Sequence, residues 1–199
     1  TMNSNHDQLR IGVIGLGPAG CILTAHLIDA GAYVVPCDIM SERIDAIKQS
    51  GIRLEHVIDK HVEVKEACCA LQELEQHNLD LIVVSVKTSF LTKVLDQLSE
   101  TSLRNAFVMC AQNGLGNEAE AARVLGDDRV LRMVLNYAGN MIDAHTVRVS
   151  FFNPPNYVAA LMPQGDAMAE RIAALLNSVD FDIEIPDDIQ DYVWEKVIL

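Results

Sequence analysis

The residues with the clearest chemical potential in this sequence are glycines. Gly15-Leu16-Gly17-Pro18-Ala19-Gly20 follows an apolar stretch, Leu9–Ile14, and opens a helical one, Pro18–Ala30. A G-x-G-x-x-G run in that strand–turn–helix setting cradles a dinucleotide pyrophosphate. Gly15 permits the tight turn, Gly17 leaves the backbone open to the phosphates, and Gly20 lets the helix lie close on the sheet. Leu16, Pro18 and Ala19 complete the turn, where unpaired N–H groups and the positive end of the helix dipole meet the anion. Asp38 stands about 20 residues further on, after a second apolar stretch, where a carboxylate accepts ribose hydroxyls and repels a 2′-phosphate. That reading favours NAD over NADP. Arg43, one turn along, argues the other way, and an aspartate here also serves as an ordinary helix cap.

Two more groups fall at the ends of apolar runs. Lys87 closes the run Asp80–Val86, either as a solvated strand end or as a cation facing cofactor or substrate anions. Gln112-Asn113-Gly114-Leu115-Gly116-Asn117 follows Ala106–Ala111. There Asn113 offers an amide donor and acceptor beside glycines that allow tight backbone geometry. Asn-Gly is also a common turn pair, so the residues leave both roles open.

The elements that must position these groups alternate along the chain. Strands are expected at Leu9–Ile14, Ala32–Cys37, Leu81–Val86, Ala106–Ala111 and Val130–Tyr137. The continuous apolar runs among them match strands buried on both faces of a parallel sheet. Helices are expected over Pro18–Ala30, after Ser41 as a cap, and from Asn117, where Asn117 and Glu120 have capping-box spacing. This βαβα rhythm predicts a doubly wound α/β domain over residues 9–185, in which ligands gather at the carboxyl ends of the strands. After Asn140 the rhythm changes. Thr146–Phe152 and Asn156–Leu161, joined by Asn153-Pro154-Pro155-Asn156, predict an antiparallel pair. Met168, Ile172, Leu175, Leu176 and Val179 predict a helix, Ile183–Ile185 an edge strand, and Asp187 or Asp188 the cap of a last helix with Ile189, Val193 and Val197 on one face. Residues 1–8 are expected to be a disordered or tag-derived tail. Residues 186–199 read as the start of a helix leading to a further domain that this chain does not contain.

Composition narrows the class. Of 199 residues, 50% are hydrophobic and 22% charged, as in a globular domain. The net charge of −13 is spread along the chain without a Lys/Arg cluster, which argues against nucleic-acid binding. No apolar run reaches the roughly 18 residues of a membrane span, so no membrane partner is expected. Five cysteines without a C-x-x-C point to a reducing compartment, here taken as the cytoplasm. Cys68-Cys69 lacks partner ligands and the six histidines form no ligand pattern, so no metal is expected.

Gly15-Leu16-Gly17-Pro18-Ala19-Gly20, the strand-end Val86-Lys87, the loop Gln112-Asn113-Gly114-Leu115-Gly116-Asn117-Glu118 and the late Trp194-Glu195-Lys196 together resemble the ketopantoate reductase family (2-dehydropantoate 2-reductases). Their order and approximate spacing agree along nearly all of the chain. The resemblance implies an N-terminal Rossmann-like domain with a C-terminal helical domain beyond it. It also implies NADPH-dependent reduction of 2-dehydropantoate to pantoate, on the route to pantothenate and coenzyme A. By position, Lys196 matches the catalytic lysine that hydrogen-bonds the ketone and supplies a proton. Asn113 matches the loop asparagine beside nicotinamide and substrate, and Lys87 the strand-end lysine near the cofactor. Two positions depart from the family pattern. Thr88-Ser89-Phe90 replaces an aromatic residue followed by Gln, and Asp38 stands where NADPH users place a basic residue. The cofactor expectation is therefore NADP by resemblance and NAD by Asp38. The partner is a small 2-oxo acid. Rival readings are an NADH-dependent reductase of another 2-oxo acid and a non-catalytic dinucleotide sensor. The oligomeric state stays open, a homodimer included.

Overall fold

The computed structural model describes residues 8–198. The expected tail over 1–8 thus falls, apart from Gln8, outside the described residues, as does Leu199. In chain order the strands are β1 (Arg10–Ile14), β2 (Tyr33–Cys37), β3 (Ile52–His56), β4 (Lys60–Val62), β5 (Leu81–Val84), β6 (Phe107–Cys110), β7 (Val130–Val134), β8 (Tyr137–Met141), β9 (Thr146–Phe152), β10 (Asn156–Ala160) and β11 (Ile183–Glu184). The helices are α1 (Pro18–Asp29), α2 (Ser41–Ser50), α3 (Leu91–Ser99), α4 (Asn117–Leu125), α5 (Asp166–Asn177) and α6 (Ile189–Ile198).

Apolar residues in consecutive strand positions can be buried only if both faces of the sheet are covered. In β5, Leu81 and Val83 enter one core cluster with residues of α1 and α5, while Ile82 and Val84 enter another with residues of α3. The sheet between them has seven strands in the order β11-β10-β7-β6-β5-β1-β2. The β2, β1, β5, β6 and β7 strands run parallel, β10 is antiparallel to β7, and β11 is parallel to β10. This is the expected Rossmann-like, mainly parallel sheet with its antiparallel pairing toward the C-terminus. Strand order reverses at β1, so the glycine turn leaves the sheet at its topological switch point.

A second sheet, β4-β3-β9-β8, corrects two expectations. Thr146–Phe152 and Asn156–Ala160 do not pair with each other: β9 lies between β3 and β8, whereas β10 returns to the main sheet beside β7. Val130–Tyr137 is not one strand either. The chain leaves the main sheet after Val134 and enters the second at Tyr137. Asn156, fully buried, ties the crossing together. Its carbonyl accepts the Asn136 N–H at 2.8 Å, and its amide donates to Phe181 O at 3.0 Å. A turn cluster cannot distinguish a hairpin from a change of sheet, because both need the chain to reverse. The short strands β3 and β4 have no counterpart in the sequence reading, since only Ile52, Leu54 and Val62 of them are buried.

Two caps also differ. Ser41 is the first helical residue of α2, and Asp38 Oδ1 instead accepts the Met40 N–H at 3.0 Å. At α4 the cap position is Gly116, with φ at 76°, and Asn117 and Glu120 form no capping box. Asn117 is buried and donates to Asn113 O at 3.2 Å, while Glu120 pairs with Arg123. Asp188 does cap α6, accepting the Gln190 N–H at 2.8 Å. On the expected α6 face Ile189 and Val193 are buried, and the side chain of Val197 lies outside the described residues. Cys21, Cys37, Cys68 and Cys110 are buried, Cys69 is exposed, and all five are free.

Candidate active site

The glycine turn is built by contact on two sides and openness on the third. A Cβ on Gly15, at φ +96°, would lie 2.8 Å from the Val86 nitrogen. One on Gly20 would lie 2.0 Å from the Gly15 carbonyl oxygen. Neither position admits a side chain, because backbone would have to move. A Cβ on Gly17 would meet nothing within 4 Å. Gly17 therefore leaves an open cradle at the start of α1, which has Pro18 in its first turn and no side-chain cap. The N–H groups of such a first turn lack intrahelical acceptors. An open surface of this kind, at the positive end of a helix, fits a pyrophosphate.

Asp38 closes the turn from β2. Its Oδ2 accepts the Leu16 N–H at 2.8 Å and faces Arg43 Nη1 at 3.5 Å. The aspartate thus has a structural task, holding Leu16 in place, alongside the expected ribose role. Arg43, the cation that argued for a 2′-phosphate, is drawn onto this carboxylate.

From the glycine turn the strand ends run continuously to a cavity. Val86 abuts Gly15, Lys87 is exposed, and Thr88 Oγ1 donates to Asn113 O at 3.1 Å. Beyond Asn113 a cavity of about 240 Å³ is lined by Gln112, Asn113, Gly114, Arg132, Val134, Leu135, Val193 and Lys196. The β6 and β7 ends form its floor and α6 its wall. Asn113 and Lys196, 83 positions apart by their numbers, are brought to one site, whereas Lys87 is not among its lining residues. Lys196 donates from Nζ to the Leu135 carbonyl. Burial, reinforced by the positive charge of Arg132, pushes the Lys196 ammonium down to about 8. A lysine in that range gives and takes a proton near neutral pH, unlike a solvated one. Trp194 of the same helix is 53% exposed.

Arg132 was not singled out from sequence and Glu118 entered only as the end of the resembling loop, yet the two organise this cavity. Arg132 projects from the middle of β7 with its side chain 3% exposed. Its Nη2 donates to Gly114 O at 2.9 Å, and its Nη1 lies 3.3 Å from Glu118 Oε2. Glu118 Oε1 accepts Gln190 Nε2 of α6 at 2.8 Å. One carboxylate thereby links the asparagine loop, the sheet and the lysine helix. The available signal was an arginine inside the apolar strand Val130–Val134, since a buried cation must have a partner.

Other groups have structural explanations. His26 is buried, packs against Phe152 and Phe181, and is pulled below its ordinary pKa by burial. Among the described residues no cluster of His, Cys, Asp or Glu could hold a metal, and no helix is long and apolar enough to cross a membrane.

Comparison with known proteins gives a consistent picture. A 2-dehydropantoate 2-reductase of Pyrococcus abyssi is 24% identical over 192 residues, covering 96% of this chain and 61% of its own length. One from Streptococcus pyogenes serotype M1 is 22% identical, with 94% and 60% covered. This chain therefore spans about 60% of the length of these relatives. Among solved structures, 2-dehydropantoate 2-reductase from Geobacter metallireducens superposes with a TM-score of 0.83 at 23% identity, covering 96% of this chain and 62% of that one. D-mandelate dehydrogenase with NADH and anilino(oxo)acetate superposes at 0.79 with 21% identity, covering 94% and 60%. The family model for ketopantoate reductase PanE/ApbA matches residues 11–160. With three-quarters of its length inside that match and the glycine turn, asparagine loop and sheet in the corresponding fold, this chain belongs to the ketopantoate reductase PanE/ApbA family.

Proposed function

We propose that this chain carries the dinucleotide site and the proton-donating lysine of an NAD(P)H-dependent 2-oxo acid reductase, with 2-dehydropantoate to pantoate as its leading reaction. The observation that carries the reading is the meeting of Lys196 and Asn113 in one cavity, reached from the glycine turn along adjacent strand ends. The open cradle at Gly17 and the first turn of α1 would hold the pyrophosphate, and Asp38 the ribose. When bound, the nicotinamide supplies a hydride to the ketone carbon. Lys196 Nζ donates a hydrogen bond to the ketone oxygen and hands over its proton as negative charge builds there. The Leu135 carbonyl holds that ammonium in the cavity meanwhile. The Asn113 amide orients the reacting groups, and the loop carrying it is braced by Thr88 and Asn117. Burial serves this chemistry twice: it limits water and it brings the lysine toward the pH at which proton transfer is reversible.

A second reading, reduction of a different 2-oxo acid with NADH, is favoured by one observation. The carboxylate of Asp38 stands at the end of β2, 3.5 Å from the Arg43 guanidinium, and offsets the attraction of that cation for a 2′-phosphate. The full-length protein should oxidise NAD(P)H with 2-dehydropantoate or a related 2-oxo acid, and Lys196→Ala should lower turnover about 100-fold or more while leaving dinucleotide binding intact. A protein that binds dinucleotide but turns over no 2-oxo acid would be a sensor, and the proposal would fail.

A further inference from the structure

We infer that Arg132, with Gln112 beside it, is the anchor for the substrate carboxylate, so that this cavity selects 2-oxo acids over uncharged ketones. The inference rests on the reductase reading and specifies how its substrate is held.

Three observations carry it. First, Arg132 Nε and Nη1 have no hydrogen-bond acceptor, although the side chain is 3% exposed and lines the cavity. Nη1 is within ion-pair distance of Glu118 Oε2, but the two are not aligned for a hydrogen bond. Glu118 thus neutralises the buried cation without consuming its remaining N–H groups. Second, both side-chain atoms of Gln112, a buried lining residue, are also without partners. Buried polar atoms are almost always satisfied, so four such atoms around one cavity call for a polar ligand. Third, the lining contains two cations, Arg132 and Lys196, and no carboxylate. On a chain of net charge −13, attraction for an anion must come from such a local arrangement.

The chemistry of the ligand follows from the donors. A guanidinium fork matches the two oxygens of a carboxylate; here it is formed by the second N–H of Nη2, whose first is taken by Gly114 O, together with the unpartnered Nε or Nη1. In a 2-oxo acid that carboxylate is bonded directly to the ketone carbon. One small molecule in a cavity of about 240 Å³ can therefore engage Arg132 through its carboxylate and Lys196 through its ketone oxygen. The anchor does not take part in proton transfer. It fixes which face and which carbonyl of the substrate meet Lys196, a positioning effect on the reacting ketone.

The test uses the full-length protein with NADH and two probes. Oxamate, a 2-oxo acid mimic that accepts no hydride, reports binding through the fluorescence of bound NADH. A 2-oxo acid and its methyl ester report selectivity through kcat/KM. The informative variant is Arg132→Met combined with Glu118→Gln, which removes both buried charges together and leaves neither unpaired. A thermal melt of the double variant controls for the fold, and Arg132→Lys keeps a cation there without the planar fork. The double variant should bind oxamate about 100-fold more weakly than wild type and lose the preference for acid over ester by a similar factor, with NADH binding retained. Arg132→Lys should keep part of both. Unchanged oxamate binding in the double variant, or a wild type that reduces acid and ester equally well, overturns the anchor, and the second result needs no variant to fold. Arginine-dependent oxamate binding without turnover of any 2-oxo acid would support the anchor and refute the reductase reading alone.

Discussion

On the proposed mechanism, reduction by the full-length protein should weaken as the pH is raised through about 8, the value to which the site brings the lysine assigned as proton donor. The ammonium of Lys196 falls from 10.5 to about 8, first through burial and then through repulsion from Arg132. Below the midpoint the lysine is protonated and can donate to the ketone. Above it the donor is lost, and kcat/KM for reduction should drop about tenfold per pH unit. Oxidation of the hydroxy acid needs the neutral amine, so its rate should rise over the same interval. Stability carries the same signature with a defined sign. Between about 8 and 10.5 the native protein has shed a proton that the unfolded chain still holds, so stability rises with pH across that window and is lost as pH falls through it. The full shift corresponds to roughly 3 kcal/mol, which partial exposure of the side chain reduces to about 1–2 kcal/mol. The assay is the pH dependence of kcat/KM in both directions on the full-length protein, repeated with Lys196→Arg, whose permanent charge should remove the high-pH limb. A reduction rate that stays level to about pH 10 would refute a Lys196 donor held near 8, since an unshifted lysine or another group would then be acting.

Further outcomes follow from the turn and the crossing. Gly20→Ala places a Cβ 2.0 Å from the Gly15 carbonyl oxygen, so thermal denaturation should show a loss of at least about 3 kcal/mol, near 10 °C in Tm. Gly17→Ala meets open space and should leave Tm almost unchanged while weakening NADH binding about tenfold or more; equal binding would mean the cradle holds no pyrophosphate. Asp38→Ala removes the acceptor of the Leu16 and Met40 N–H groups, which should cost about 1–2 kcal/mol. The same change frees Arg43 and should shift fluorescence-measured affinity toward NADPH, and a wild type that already prefers NADPH would reject the ribose role. Asn156→Ala leaves the partly buried Asn136 N–H and the buried Phe181 carbonyl short of partners and should lower denaturant stability by about 2–4 kcal/mol.

The glycine turn, the parallel strands and the loop at Asn113 were legible in the sequence because each is a local pattern. An apolar run as short as Leu81–Val84, set between helical stretches, reads as a strand covered on both faces, and Gly15 and Gly20 sit where backbone approaches too closely for a side chain. Lys196 stood out only through resemblance, since a helix lysine is ordinarily solvated. The tertiary structure alone decided three matters. It sent β9 and β10 to different sheets, because a reversal at Asn153–Asn156 is compatible with either pairing until Asn136 and Asn156 find each other. It replaced the expected caps at Ser41 and Asn117 with contacts from Asp38 and to Asn113, partners that compete with local capping only once the chain has packed. It also set Arg132, Glu118 and Gln190 in one network beneath Lys196, drawing on β7, α4 and α6. The lysine's shifted pKa and the meeting of Arg132 and Lys196 at one cavity are properties of that assembly: burial and nearby charge exist only after residues distant in sequence have come together.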